Sequence, residues 1–381
     1  MAARTAPRQH AVFHTLRVSA VERLTDDAVT VTFDVPDDLG AAYRFAPGQH
    51  LTLRTTVDGE DIRRNYSICA PASSGVLRVA VKRIEEGVFS GYALDGLTAG
   101  DELEVMTPTG RFTTALDPSQ ARHYVAIAAG SGITPVLSLV STVLEVEPAS
   151  QVTLVYGNRT TASVMFLDEL ADLKDRYPDR FTLVHVLSRE PVEVDLFHGR
   201  IDADKLRALF GTLLPPETVD EWFLCGPFEM VTQARDTLVA AGVDRDHVHA
   251  ELFHVEDEPP VRAARNGAPV RRAGSGSEPT GDGPASEGPT STVTVYLDGR
   301  ASTFELAARG RSVLEATLAV RADAPFACKG GVCGTCRAKL VEGEVEMDRN
   351  YALERDELES GFVLACQSHP TTPTLVLDFD Q

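Results

Sequence analysis

The sequence predicts a multidomain α+β chain: an antiparallel barrel or sandwich, then a doubly wound parallel α/β domain, then a small α+β unit. Three observations carry this. Residues 12–116 hold short apolar runs that alternate with period two; residues 123–253 alternate strand-like with helix-like stretches; and a segment of different composition separates both from the last 90 or so residues. At roughly 100–200 residues per domain, 381 residues accommodate two or three domains.

In the first region, Val29-Val31-Phe33, Leu51-Leu53 and Leu77-Val79-Val81 put every second side chain on one face, with Pro47-Gly48, Asp58-Gly59 and Ser74-Gly75 between them. That is the pattern of antiparallel strands joined by turns. In the second, the runs beginning at Tyr124, Val152, Phe181 and Trp222 read as strands separated by helices, which implies a parallel sheet. From Glu256 to Ser291 there is no aromatic residue, no Leu, no Ile and only two Val. Such a segment buries too little apolar surface to offset its ordering entropy. It reads as a flexible linker with an r.m.s. span of about 30–36 Å, or else as a long surface loop. The expected divisions are 1–117, 118–255, linker 256–291 and 292–381.

Lys and Arg total 36 against 56 Asp and Glu, a formal net charge of -20. That balance excludes general nucleic-acid binding and argues against docking on anionic lipid. No apolar run reaches the ~18 residues of a membrane helix, and Met1–His10 lacks the apolar core of a secretory signal. A cytoplasmic protein is expected. Of six cysteines, Cys69 and Cys225 stand alone while Cys328, Cys333, Cys336 and Cys366 fall in the last 54 residues, which suggests a metal site rather than disulfides.

The run Cys328-Lys-Gly-Gly-Val-Cys333-Gly-Thr-Cys336, followed by Cys366, has the C-x₄-C-x₂-C…C spacing of plant-type [2Fe–2S] clusters. Three thiolates come from one short loop and the fourth from a distant strand end. Gly330, Gly331 and Gly334 let backbone N–H groups approach the sulfurs. A zinc ribbon pairs two C-x₂-C knuckles, and only one is present. The expected potential is low, near ~-400 mV.

His123–Ala129 followed by Gly130-Ser131-Gly132-Ile133-Thr134-Pro135 reads as a strand, a glycine turn and a helix start, with Thr134 as N-cap and Pro135 at the first helical position. Such a turn suits a pyrophosphate, although Pro135 stands where the dinucleotide fingerprint has a third glycine. Cys225-Gly226 ends a predicted strand, where α/β proteins bind ligands; Cys225 also fits a small buried hydrophobe. Ser188-Arg189 ends another strand and suits a ribose 2′-phosphate, or is simply solvated. Arg63–Ile68 ends an alternating strand and places Arg64 and Tyr66 on one face, suited to a phosphate and a ring, or is simply a surface strand. Asp246-His247-Val248-His249 alternates as a strand would. Eight acids between Glu342 and Glu359 form either a solvated face or a docking face.

The elements Arg64–Ser67, Gly87-Val88-Phe89-Ser90, Gly130–Pro135 and Cys225-Gly226-Pro227 resemble motifs of the ferredoxin–NADP reductase superfamily. The domain order resembles the reductase components of bacterial oxygenases. The stretches Tyr43–Leu53, Tyr156–Thr160, Leu196–Asp202 and Leu377–Asp380 are similar to the reductase subunits of phenylacetyl-CoA epoxidase. The resemblance implies an FAD-binding barrel, an NADPH-binding α/β domain and a β-grasp ferredoxin domain, serving a diiron epoxidase or, alternatively, a Rieske-type steroid or aromatic-ring oxygenase. It implies flavin contacts from Arg64, Tyr66 and Ser67, pyrophosphate contacts from Val81, Lys82, Gly87 and Ser90, and nucleotide contacts from Gly130, Ser131, Gly132, Thr134, Ser188, Arg189 and Gly226. Ser67, Cys225 and Glu251 take catalytic places, Phe253 lies at the flavin, and Cys328, Cys333, Cys336 and Cys366 ligate the cluster.

Overall fold

A computed structural model describes residues 12–57, 59–253, 261–263 and 289–381. It divides into two compact units: Phe13–His254, and a C-terminal unit that begins at Val255. Among the described residues, no helix is long and apolar enough to cross a membrane.

The first unit opens with strands β1 (Phe13–Thr25), β2 (Ala28–Asp34), β3 (His50–Val57), β4 (Glu60–Ser67) and β5 (Leu77–Lys82), then helix α1 (Val88–Asp95) and strand β6 (Glu102–Met106). All pairings are antiparallel, in the order β4-β3-β6-β1-β2-β5. The two outer strands meet where Ile68 bridges Val79 and the Cys69 N–H donates to the Arg78 carbonyl at 2.9 Å, so the sheet closes on itself. The alternating residues point inward: Leu51, Leu53, Val79 and Val81 are fully buried. Asp58, expected in a turn, lies outside the described residues.

The chain continues through β7 (His123–Ala129), α2 (Ile133–Val146), β8 (Gln151–Asn158), α3 (Leu167–Arg176), β9 (Phe181–Leu187), α4 (Ala203–Phe210), β10 (Glu221–Gly226), α5 (Phe228–Ala240) and β11 (Val248–Leu252). Every strand is parallel, in the order β11-β10-β7-β8-β9. The winding direction reverses between β7 and β10, so their carboxyl ends flank the crevice where such sheets bind ligands. Helix α2 is buried continuously from Ile133 to Leu144, because it is covered by the parallel sheet on one side and by the barrel on the other. The Ser138 hydroxyl donates to the Ala70 carbonyl at 2.7 Å, and Thr142 Oγ1 accepts from the Ala72 N–H at 3.0 Å. Arg78 of β5 forks onto Glu169 of α3 at 3.0 and 2.7 Å. Barrel and sheet thus share one core.

Two local expectations are corrected. A 3-10 turn over Gly130–Gly132 runs straight into α2, so Gly132 caps the helix and Thr134 lies inside it, its hydroxyl donating back to the Ser131 carbonyl at 3.0 Å. His247 sits in a 3-10 turn, Arg245–His247, and only His249 is in a strand; both rings contact Glu221, at 3.3 and 2.9 Å.

The C-terminal unit contains β12 (Val261–Ala263), β13 (Thr290–Leu297), β14 (Arg300–Ala307), α6 (Val313–Val320), β15 (Arg337–Glu342), β16 (Val345–Met347), α7 (Arg355–Glu359), β17 (Phe362–Leu364), β18 (Ser368–Pro370) and β19 (Thr374–Asp378). A five-stranded mixed sheet runs β14-β13-β19-β15-β17, with β13 and β19 parallel. A reciprocal Ser312–Glu315 box starts α6. A second sheet is ordered β12-β16-β18. Most of the expected linker lies outside the described residues. Within it, Val261–Ala263 forms β12, antiparallel to β16, and β13 begins at Thr290. Pairing with an exposed sheet edge uses backbone groups, so composition does not reveal it.

Candidate functional site

The carboxyl ends of β10 and β11 meet the barrel at a group of side chains of which Cys225, Ser67 and His50 are buried and Glu251 is half-buried. Cys225 on β10 is in register with Glu251 on β11. From β4, the Ser67 hydroxyl donates to Glu251 Oε2 at 3.3 Å. From β3, His50 Nδ1 lies 3.9 Å from Glu251 Oε1. Burial pushes the Glu251 carboxyl up to about 8, against the opposing effect of the Ser67 hydrogen bond. Burial also lowers His50 to about 4 and raises the Cys225 thiol, to which Glu251 adds. At neutral pH the cluster is therefore an uncharged acid, an uncharged imidazole and a thiol.

Gly132 explains how the turn before α2 reaches this point. A Cβ there would stand 2.2 Å from the Cys225 carbonyl oxygen, so only glycine lets the turn lie against β10. The Tyr156 hydroxyl donates to the Gly130 carbonyl at 2.9 Å and fixes the turn from β8. Among the described residues, no side chain caps the start of α2, which leaves that end open to an anionic group. Ser188 and Arg189 follow β9, their N–H groups donating to the carbonyls of Asn158 and Arg159 at 2.9 and 2.8 Å; the Arg189 side chain is exposed.

On the barrel, Arg64 is exposed and its guanidinium donates to the Arg63 carbonyl at 2.8 Å. Tyr66 packs on Phe89 with ring centroids 5.3 Å apart. Burial raises its hydroxyl, which Arg64 opposes. Val81 points into the barrel core, so it offers a ligand only its backbone. Lys82 approaches Asp27 at 3.5 Å. Gly87 precedes α1, and the Ser90 hydroxyl donates to the Gly87 carbonyl and accepts from the Ile84 N–H, both at 3.0 Å. Ser90 therefore shapes the turn. Gly226 ends β10, and Phe253, just past β11, is partly exposed. The His50 surroundings have no mark in the sequence, because His50 and Glu251 belong to different sheets.

In the C-terminal unit the four thiols approach in two pairs. A hydrogen bond from Cys333 lowers Cys328, and one from Cys336 lowers Cys366. The Gly330 N–H donates to Cys328 Sγ at 3.3 Å, and the Gln367 amide donates to Cys366 Sγ at 3.4 Å and to the Lys329 carbonyl at 2.7 Å. Gly331 adopts φ +77° and passes close to the Arg349 carbonyl. Among the described residues, no three His, Cys, Asp or Glu side chains gather as for a single ion. Two pairs of thiols with N–H donors aimed at sulfur fit a two-iron cluster, in which each iron takes two cysteines. The expected acidic face is not uniform: Glu357 is buried against Arg337 and bonds the Glu354 N–H at 3.2 Å.

Family models match along the chain: an oxidoreductase FAD-binding domain over residues 15–114, an oxidoreductase NAD-binding domain over 126–236 and a 2Fe-2S iron-sulfur cluster binding domain over 295–371. One of the proteins that make up the 1,2-phenylacetyl-CoA epoxidase of Escherichia coli K12 is 47% identical over 368 residues, 97% of this chain and 98% of that one. The chain belongs to this family of flavin and iron–sulfur reductases. Among further members of the reductase family, the ferredoxin reductase component of 3-ketosteroid-9-alpha-monooxygenase from Rhodococcus rhodochrous is 35% identical over 96% of both chains. The solved phthalate dioxygenase reductase superposes with a TM-score of 0.56 at 25% identity, covering 96% of this chain and 98% of that one. As a reductase of this family, the chain moves electrons from NAD(P)H through FAD to a [2Fe–2S] cluster.

Proposed function

We propose that the chain is the cytoplasmic, NADPH-dependent reductase of a diiron phenylacetyl-CoA epoxidase. The observation that carries this is the 47% identity, across almost the whole of both chains, to the Escherichia coli epoxidase component. FAD, when bound, takes the electron pair of the nicotinamide and passes it on one electron at a time. The protein's residues position and insulate. Tyr66 lends a ring face, and Arg64 and the backbone at Val81, Lys82, Gly87 and Ser90 meet the FAD phosphates. Gly130, Ser131, Gly132, Thr134 and Gly226 give the nucleotide backbone a close approach. Cys225 keeps water from the nicotinamide, while Ser67 and Glu251 hold a proton at the Glu251 carboxyl. The exposed Phe253, just past β11, would flank the flavin. Cys328 with Cys333, and Cys336 with Cys366, ligate the two irons in a β-grasp fold.

Ser188 and the exposed Arg189 would receive the 2′-phosphate. Arg189→Ala is expected to raise KM for NADPH about 10–100-fold, the value of one or two charge-assisted hydrogen bonds, and to leave NADH oxidation unchanged. Reconstitution decides the partner. Coupled product formation with the epoxidase, and not with a Rieske-type steroid oxygenase, is the expected result; the reverse preference overturns the proposal.

A further inference from the structure

Beside Glu251, a chain of polar groups fixes which nitrogen of His50 carries its proton. The Thr52 hydroxyl donates to Asn65 Oδ1 at 2.8 Å. The Asn65 amide nitrogen is then the group that faces His50 Nε2, at 3.1 Å, and an amide nitrogen can only donate. The Thr109 hydroxyl also lies 3.3 Å from Nε2. Nε2 is therefore the acceptor and Nδ1 carries the hydrogen, turned toward Glu251 Oε1 at 3.9 Å. A Cβ on Gly110 would stand 3.0 Å from Nδ1, so the absence of a side chain there keeps this side of the ring clear. The titratable groups facing Glu251 are Cys225 on β10 and His50 on β3, with the Ser67 hydroxyl on β4.

We propose that His50 is a positioning residue, its Nδ1–H, set by Thr52 and Asn65, steering the Glu251 carboxyl toward Ser67 and stabilising its charged form. The separation is longer than a hydrogen bond while the carboxyl is neutral, and ionisation draws the N–H and the oxygen together. Burial keeps the imidazole itself neutral across the working pH range, so His50 acts as a fixed dipole. The inference rests on the proposed role of Glu251 for its catalytic meaning, but its physical content does not depend on nucleotide turnover.

Two substitutions separate the two ring nitrogens. His50→Asn keeps an amide N–H near the place of Nδ1, and His50→Gln reaches only the place of Nε2. The readout is the infrared carboxylic-acid C=O band of the full chain without flavin, titrated with pH and assigned by its loss in Glu251→Gln. The same midpoint is then followed as the pH dependence of NADPH-driven reduction of an artificial acceptor by the holoenzyme. In His50→Gln the Glu251 midpoint is expected to move up by about half a unit or more, while His50→Asn keeps the wild-type midpoint. An unmoved midpoint in His50→Gln, or equal shifts in both variants, overturns the proposal. If the infrared midpoint moves as expected and the pH dependence of turnover does not, the positioning role fails through the assignment of Glu251 to the reaction and the local geometry stands.

Discussion

The group around Glu251 and the loop around Cys328 are held in place by opposite means. The first lies between two sheets that share a core, and its side chains are fixed by partners far away in sequence: Ser67 and Glu251 are 184 residues apart. The second lies on a short loop in which Lys329, Gly331 and Gly334 all have positive φ. Several of its anchoring hydrogen bonds end on the cysteine sulfurs themselves or come from neighbouring Gln367. A site between packed domains keeps its shape from the fold. A site on a short loop keeps its shape from its own turns and neighbouring hydrogen bonds.

The strongest way to break that contrast is at the thiols. Cys336→Ser is expected to remove the visible cluster spectrum and nearly all electron delivery to an oxygenase, while NADPH-driven reduction of a flavin-directed artificial acceptor continues. If acceptor reduction falls in parallel, the two sites are not independently held. Next in size is Glu147, a fully buried carboxylate that accepts from Tyr124 Oη at 3.0 Å, Ser150 Oγ at 2.7 Å and the Asp117 N–H at 2.9 Å. Glu147→Ala strands these donors and is expected to cost about 3 kcal/mol. The single tryptophan, Trp222, is buried in the first unit, so its fluorescence in a denaturant titration reads that unit alone. The cluster absorbance should keep its midpoint.

The smallest effect is a pH dependence. Glu251 is raised to about 8 from 4.5, so the folded chain holds a proton there that the unfolded chain releases, and stability falls as pH rises between those values. His50 and His185 are lowered from 6.5, so their stabilisation is complete above that value and is lost as pH falls. The effects oppose one another at acid pH. From pH 6.5 to 8 only the Glu251 contribution remains, and the first unit should lose about 2 kcal/mol. Tryptophan-monitored unfolding across that window should show the decline, and Glu251→Gln should flatten it.

These differences also explain what can be read from the sequence. The alternation at Leu51-Leu53 and Leu77-Val79-Val81 forecasts β3 and β5 because a strand's two faces are written two residues apart. The cysteine loop is legible for the same reason, since three of its four sulfurs lie within nine residues. Thr134 is misplaced because a 3-10 turn and a helix share their first carbonyls, and local sequence does not fix the boundary between them. The His50–Asn65–Thr109 surroundings of Glu251 cannot be read, because register between strands and docking of one sheet on another bring them together. Glu357 looks like one more surface acid. Its burial follows from Arg337, eighteen residues before Arg355 begins its helix.

Strand β12 bears on a different quantity, the free length of chain that joins the two units. While Val261–Ala263 stays zipped to Val345–Met347, the stretch between Phe253 and Val261 can reach no more than about 29 Å even when pulled taut. The chain leaves β12 at Ala263 and enters the C-terminal sheet again at Thr290, so the residues after Ala263 add nothing to that reach. Three residues of backbone pairing thereby act as a buckle: fastened, they hold the tether to a fraction of the length its residue count suggests.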